Sequence, residues 1–418
     1  MNAPVLSLAI LAWTTLTVGA VQAATLIRPE DIPRLIRENN GTSHAAERSM
    51  AAAEARTGHL TRSYLPTLSV VGGGERFQTG TLSERSEPYG AAEVRMNLFR
   101  SGRDGIEERA RRAQYEAAEA RKGLNDAELI SQARKLYWKL VAEREAATAF
   151  REALAANDRS LKAAVRRISR GVTTDTDRLE FQIHGGELKE EIESIEHEAL
   201  ITSIRLRAVL GLPESENILT AETLAHVHDE EVLKAQATGN LAIVRNSVAG
   251  EHSAKSIADQ AERYWTPSID AYGGYYLHTQ REKEHPRARD RDEYAVGLRL
   301  TMTLWDGGQS QAQAASLRLQ ADAAAADATQ NRRDVEASVR ASQEEMKHAH
   351  DLIHGIEERI EQGAKYVSRT MSEYDRGVKN SPDALGALQK QLGYRKRLID
   401  IKLDYQLAKA NLLQSLGK

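Results

Sequence analysis

The chain of 418 residues contains no cysteine, which excludes disulfide bonds, thiolate metal sites, a thiol nucleophile and a lipidated N-terminal cysteine. Aromatic residues make up only 5% of it, and phenylalanine is rarer than in a typical globular core. Neither sign of charge dominates, with 57 Lys and Arg against 60 Asp and Glu, so nothing indicates a nucleic-acid surface. Because the sequence has no phosphate-binding glycine loop, nucleophile elbow or dinucleotide fingerprint, it predicts no enzyme and no cofactor.

The most abundant residues are Ala, Leu, Arg and Glu, a composition typical of long amphipathic helices. One apolar run, Val5 to Val21, leads into Val21-Gln22-Ala23, which fits a small-residue cleavage site. We predict a signal peptide over residues 1–23, and the alternative is an N-terminal membrane anchor, since no Lys or Arg precedes the run. Because of the signal peptide, the mature chain is expected to be exported. No other stretch of the sequence is long and apolar enough for a membrane helix, so no helical membrane span is expected in it.

Three short motifs occur twice at an offset of 206 residues. Arg170-Gly171-Val172 returns as Arg376-Gly377-Val378, Leu210-Gly211 returns as Leu416-Gly417, and the segment around Gly102 returns around Gly308. Three matches at one offset predict a tandem duplication, with repeats at 24–211 and 241–418 joined by a polar connector at 212–240. A unit of this length is too long for a solenoid repeat.

Each repeat is predicted to begin with a helix and two strands, the strands spanning 67–77, 89–98, 268–277 and 293–304. In the second strand Val94, Met96 and Leu98 alternate with polar residues, which gives one apolar and one polar face. About ten residues is the length of a membrane-spanning strand, and the two faces suit lipid and lumen. Since four strands cannot close a barrel, the pattern predicts one shared by three chains with twelve strands.

Two very long helices are predicted at 103–170 and 309–375, where proline is absent. The first carries a coiled-coil heptad seam, and at about 1.5 Å per residue each would be roughly 100 Å long. Gly171 and Gly377 end them, and returning helices are predicted at 174–210 and 382–416. Such helices are expected to pack side by side into a tube.

At these motifs the chain resembles the TolC family of outer-membrane efflux and secretion channels. The resemblance rests on Tyr64-Leu65-Pro66 before the first strand, Leu304-Trp305-Asp306-Gly307-Gly308 after the last, and the two glycine turns. It implies an α+β membrane protein: a homotrimer whose 12-stranded barrel in the outer membrane continues as an α-helical tunnel across the periplasm. It also implies docking on a periplasmic adaptor linked to an inner-membrane pump.

The resemblance assigns roles by motif position. The adaptor-docking tip would comprise Gly171, Val172, Gly377 and Val378. In the gate, Tyr374 and Lys379 would face Thr176 and Asp177, and Asp383 would form an acidic, cation-selecting ring at the tunnel entrance. The family's second ring position is Gly386 here, which leaves the strength of selectivity open.

The sequence thus predicts a passive export duct of a tripartite efflux system. One alternative is the exit duct of a type I protein secretion system, and another is a soluble periplasmic coiled-coil adaptor. His226-Val227-His228-Asp229 in the connector and the His350–His354 pair could suggest metal binding. A lone His-x-His motif is usually a solvated loop, and no carboxylate signature of a hydrolase accompanies the pair, so no metal is predicted at either.

Overall fold

The computed structural model describes residues 25–77, 85–221, 223–224, 242–277 and 292–417. The predicted signal peptide at 1–23 and the motif His226-Val227-His228-Asp229 lie outside the described residues. Within the described part, no helix has a stretch that combines the length and the low charge needed to cross a bilayer.

Helices form most of the described chain. In order, the elements are β1 (Thr25–Ile27), α1 (Ile32–Asn39), α2 (Gly41–Glu54), α3 (His59–Ser63), β2 (Thr67–Phe77), β3 (Arg85–Phe99), α4 (Arg103–Ser169), α5 (Asp175–Leu210), β4 (Ile218–Thr220), α6 (Ala242–Ala261), β5 (Ser268–Leu277), β6 (Asp292–Thr301), α7 (Gln309–Asp375) and α8 (Ser381–Ser415).

The two longest helices, α4 and α7, have 67 residues each and therefore a length of about 100 Å. Each follows a glycine in the left-handed conformation, Gly102 with φ 75° and Gly308 with φ 83°. Helix α4 packs along α5, α6 and α8, while α7 packs along α6 and α8. The chain is thus a bundle of very long, nearly parallel or antiparallel helices.

The apolar core consists of separate clusters that lie at different positions along this bundle. One joins Ile36 of α1 to Tyr137 and Leu140 of α4 and Leu206 of α5. A second joins α7 to α8, and a third lies beside the turn between α4 and α5. Buried alanines such as Ala133, Ala164 and Ala384 let the helices approach closely, and each larger buried apolar side chain contributes about 1.5–3 kcal/mol.

A two-stranded parallel sheet corrects the expectation that residues 212–240 are only a polar connector. Strand β4 pairs with β1, with Thr25 opposite Ile218 and Ile27 opposite Thr220. The Arg144 guanidinium fixes β4 by donating to Thr220 Oγ1 and to the Ile218 carbonyl, both at 3.0 Å. Strands of three residues are too short to show the alternation that would predict them.

The larger sheet has four antiparallel strands in the order β2-β3-β5-β6. The predicted strand 89–98 is longer in the structure, Arg85–Phe99, because β2 pairs with it as far as Phe77. The predicted strand 293–304 instead ends at Thr301, opposite Ser268. Strand β5 begins there, directly after Pro267, which lacks the backbone N–H that would extend the ladder.

The predicted helix bounds differ from the observed ones by a residue at several ends. Helix α4 ends at Ser169 rather than 170, because Arg170 is its C-cap. Helix α5 begins at Asp175 rather than 174, because Thr174 is extended and is the N-cap. Helix α8 spans Ser381–Ser415 rather than 382–416.

Candidate functional site: the helical tip and the two-faced sheet

One face of the four-stranded sheet is apolar wherever its side chains are described. The strand register places Leu68 opposite Val94, Gly273 opposite both Val94 and Val296, and Ala271 opposite Leu298. Several side chains of this face are also exposed, with Val70, Val296 and Leu298 at 79%, 83% and 70%. An apolar surface that extends over four strands requires a covering partner or a lipid phase.

The opposite face carries the charges. Asp270 lies directly opposite Arg299, and Glu93 and Arg95 lie on the same side of β3. The Arg299 guanidinium also lies 5.0 Å from the centre of the Tyr272 ring. This face is suited to water, so the sheet has the polarity of a wall between lipid and an aqueous lumen.

The outer strands of this sheet, β2 and β6, each pair on one side only within the described residues. Their other edges carry backbone N–H and C=O groups that no strand in the described part of the chain pairs with. Such an edge is prohibitive in lipid, because each unsatisfied backbone group there costs several kcal/mol.

At the opposite end of the long helices, two turns of the same type reverse the chain. Helix α4 ends with Gly171 at φ 69°, and the Val172 N–H donates to the Arg167 carbonyl at 3.0 Å. Helix α7 ends with Gly377 at φ 81°, and the Val378 N–H donates to the Glu373 carbonyl at 2.9 Å. Both are Schellman motifs, which explains why glycine stands at each turn.

The two turns lie against each other. A Cβ atom on Gly377 would be 3.2 Å from Val172 Cγ1. Val172 and Val378 nevertheless leave 53% and 72% of their surface exposed. The four residues predicted to form the docking tip therefore lie together at one end of the bundle, with two apolar side chains facing outward.

A buried polar cluster, here called the tip cluster, joins the two halves of the chain directly behind these turns. It comprises Arg167, Thr173, Asp177, Tyr374 and Ser381. Asp177 is its centre: Oδ2 accepts from Tyr374 Oη at 3.1 Å and from Thr173 Oγ1 at 2.5 Å, and Oδ1 accepts from Ser381 Oγ at 2.8 Å. Ser381 Oγ also contacts the carboxylate of Glu180.

Arg167 supplies the positive charge of the tip cluster. Its Nη1 lies 4.0 Å from Asp177 Oδ2, and its Cζ lies 4.1 Å from the centre of the Tyr374 ring. Only 7% of Arg167 and 8% of Asp177 is exposed. A buried ion pair stacked on an aromatic ring depends on both partners, because either charge alone would be buried without compensation.

Burial raises the pKa of the Tyr374 hydroxyl to about 12, assisted by the neighbouring Asp177 carboxylate and opposed by Arg167. The ordinary value is 10.0, so folding favours the neutral phenol. This contribution to stability is complete below pH 10 and disappears as the pH rises through about 12. The hydrogen bond from Tyr374 to Asp177 therefore persists throughout the physiological pH range.

The predicted gate is brought together only in part. Tyr374 does contact Asp177, but the ion pair of Lys379 is with Glu373, at 3.8 Å between Nζ and Oε2. The Schellman turn folds residues 377–379 back over the last turn of α7, and this places Lys379 beside Glu373. Thr176 is exposed on α5, one residue before the buried Asp177.

Asp383 lies exposed in the first turn of α8, and its backbone N–H donates to Asn380 Oδ1 at 3.2 Å. Its carboxylate is therefore free to face solvent next to the tip. Sequence reasoning did not identify Arg167, Thr173 or Ser381. The only sequence feature that distinguishes Arg167 from the exposed Arg166 and Arg170 beside it is its position one helical turn before Gly171, which is a weak indication of burial.

Solved structures with the same architecture are bacterial outer-membrane channels. The chain is similar to VceC from Vibrio cholerae, with a TM-score of 0.79, 14% identity and coverage of 93% of this chain and 96% of that chain. It is also similar to CmeC from Campylobacter jejuni (0.78, 14%, 99% and 94%) and to MtrE from Neisseria gonorrhoeae (0.77, 16%, 100% and 97%). At these identities the similarity shows the fold: that of a channel with a long helical barrel.

The family model described as outer membrane efflux protein matches residues 32–212 and 235–418, so the chain belongs to that family. A sequence search of curated proteins finds no match. The resemblance to TolC-like channels is thereby confirmed. Family and fold together define an efflux duct of the outer membrane.

Proposed function

We propose that three copies of this chain form a passive export duct of a tripartite efflux system, coupled to a periplasmic adaptor and an inner-membrane pump. The observation that carries this proposal is the two-faced sheet whose outer strands lack partner strands among the described residues. Joining β6 of one copy to β2 of the next satisfies every edge, and three copies give a closed barrel of twelve strands. The long helices then continue the barrel as a tunnel into the periplasm.

Internal duplication supports this arrangement. Glycines in the left-handed conformation occur in three pairs, 102 and 308, 171 and 377, and 211 and 417, each 206 residues apart. Helices α4 and α7 are equally long, and each is followed by a returning helix. Three chains would thus supply six near-equivalent units around one pore.

A fractionation experiment tests this proposal. We expect the full-length protein in the outer-membrane fraction, migrating as a trimer in SDS unless boiled, because a closed β-barrel resists SDS. Recovery in the soluble periplasm as a monomer would contradict the duct and favour the coiled-coil adaptor. Co-purification with a protein-exporting ATPase instead of an efflux pump would favour the type I secretion alternative.

The tip is proposed to hold both the docking surface and the gate. Exposed Val172 and Val378 offer apolar contacts to an adaptor, with Gly171 and Gly377 shaping the two turns. The tip cluster holds α5 against α7 and α8, so breaking it would allow the returning helices to move apart. A packed polar cluster of this kind has discrete closed and open arrangements.

Asp383 is proposed to form a three-fold acidic ring at the entrance, which would favour cations in the lumen. We expect Asp383→Asn to reduce cation selectivity and block by divalent ions in planar-bilayer recordings of the purified trimer. The matched control is Glu361→Gln, which removes an exposed carboxylate of α7 that pairs with Lys365 on the helix surface. Unchanged selectivity in Asp383→Asn would exclude the ring.

A further inference from the structure

A second polar cluster lies where α3 meets the start of α4, at the end of the helices next to the sheet. His59 is the first residue of α3, and Asp104 and Glu107 are one turn apart on α4. His59 Nε2 lies 3.5 Å from Asp104 Oδ1 and 3.2 Å from Glu107 Oε2, and the three ligand atoms lie within 4.8 Å of one another. We call this group the junction cluster.

In each carboxylate of the junction cluster, one oxygen accepts a hydrogen bond from a residue outside the cluster and the other is directed at His59. Asn97 Nδ2 donates to Asp104 Oδ2 at 2.9 Å, and Arg111 Nη2 donates to Glu107 Oε1 at 2.5 Å. The oxygens that remain are Asp104 Oδ1 and Glu107 Oε2. Hydrogen bonds that orient ligand side chains in this way are the usual second layer of a metal site.

Two of the three converging atoms are buried and lack hydrogen bonds. Asp104 is 2% exposed, and in the described structure neither its Oδ1 nor His59 Nε2 has a hydrogen-bond partner. Asp104 Oδ1 and Glu107 Oε2 nevertheless lie 3.5 and 3.2 Å from Nε2. A buried carboxylate oxygen aimed at an imidazole nitrogen without a hydrogen bond between them requires another partner.

We propose that His59, Asp104 and Glu107 bind one divalent transition-metal ion per chain, of the zinc class. Zinc lies about 2.0–2.1 Å from nitrogen and oxygen ligands in tetrahedral geometry, which places ligand atoms roughly 3.3–3.4 Å apart. The observed distances of 3.5 and 3.2 Å are close to two of the three such spacings that these ligand atoms would have around one ion. One imidazole nitrogen and two carboxylate oxygens leave the fourth position to water, whereas calcium and magnesium prefer oxygen ligands alone.

The nearby arginines set the charge balance of this site. Arg111 neutralises Glu107 through the oxygen that the ion does not use. Arg100 Nη1 lies 3.7 Å from Asp104 Oδ1, and its side chain is 41% exposed, so it can turn outward when an ion enters. A bound ion would fasten α3 to α4 just after the bend at Ser101 and Gly102, where the sheet passes into the helices.

The test is a zinc titration of the full-length protein in detergent, after removal of metal with EDTA and of any affinity tag. His226, His228, His350 and His354 are replaced by Gln in every sample, since they are the other candidate zinc ligands considered in the sequence. Isothermal titration with ZnCl₂ is expected to give one ion per chain. His59→Gln and Glu107→Gln should each weaken binding by at least about tenfold, as losses at metal sites do.

The matched control is His252→Gln. His252 Nδ1 lies 3.5 Å from Glu116 Oε2, a His–carboxylate pair without a second carboxylate, so this substitution should leave zinc binding unchanged. Tetrahedral Co²⁺ absorption bands that are lost in His59→Gln provide an independent readout. If His59→Gln does not fold, the zinc affinity of Glu107→Gln tests the proposal instead.

Two results would overturn the proposal. One is the absence of saturable binding of one ZnCl₂ equivalent per chain. The other is a His59→Gln protein that binds zinc as tightly as its parent. If the protein binds no zinc but His59→Gln lowers its thermal stability, the junction cluster is an ion pair within the fold and the metal site is excluded.

Discussion

Asp177→Ala is expected to raise the single-channel conductance of the purified protein several-fold. Asp177 accepts hydrogen bonds from Tyr374, Thr173 and Ser381, and it is the anion that faces the buried Arg167. Removing one partner of a buried ion pair costs about 3–5 kcal/mol, mainly because the remaining charge is left uncompensated. Helix α7 loses its polar link to α5, and α8 keeps only the contact of Ser381 with Glu180. The closed arrangement of the tip should therefore lose more stability than the open one.

The control for this prediction lies two residues away in the same helix turn. Asp175 is exposed and binds Arg178 through two hydrogen bonds on the surface of α5. We expect Asp175→Ala to leave conductance unchanged, since exposed ion pairs contribute little. Asp177→Asn should be intermediate, because it keeps an acceptor for Tyr374 but loses the charge opposite Arg167. Equal conductance for Asp177→Ala and the parent would exclude the tip cluster as a gate.

Leu298→Arg is expected to abolish most of the assembled trimer in the outer membrane. Leu298 lies in the middle of β6 on the apolar face, next to Val296 and Leu300. An arginine on the lipid face of a barrel costs about 2–4 kcal/mol at the bilayer midplane, and a trimer would carry that cost three times. The measurement is the fraction of SDS-resistant trimer recovered from outer membranes at equal expression.

Ala295→Arg provides the matched comparison, with the same new charge on the same strand. Ala295 lies opposite Gly274 on the polar face, where an arginine remains in water. Its trimer yield should therefore stay close to that of the parent protein. A similar loss in both variants would mean that the two faces of the sheet do not separate lipid from lumen.

The family and the helical architecture could be predicted from the sequence because the patterns that indicate them are long. A heptad seam through α4, glycines at both helix ends and strands with regular alternation each extend over many residues. These patterns all indicate the same architecture, because each helix or strand must bury one face along its whole length and its sequence is periodic for that reason. The pairing of β1 with β4 was not readable, since three residues carry no periodicity.

The residues of the tip cluster could be predicted from the sequence only in part, for a different reason. Tyr374 and Asp177 stand out because a tyrosine and an acid occur near the two glycine turns. Lys379 was expected to face Asp177, but the sequence does not reveal that the turn directs it back to Glu373. Arg167 was hidden among neighbouring arginines, because only the three-dimensional packing decides which of several identical residues of a helix becomes buried.

The equal length of α4 and α7 has a mechanical consequence. A straight helix of 67 residues acts as a lever, and over about 100 Å a tilt of only about 5° at one end displaces the other by roughly 9 Å. In the proposed duct, small rotations near the sheet would therefore change the aperture at the tip without melting a single helical turn. The stiffness of the junction between β3 and α4 would then set how far the distant end moves.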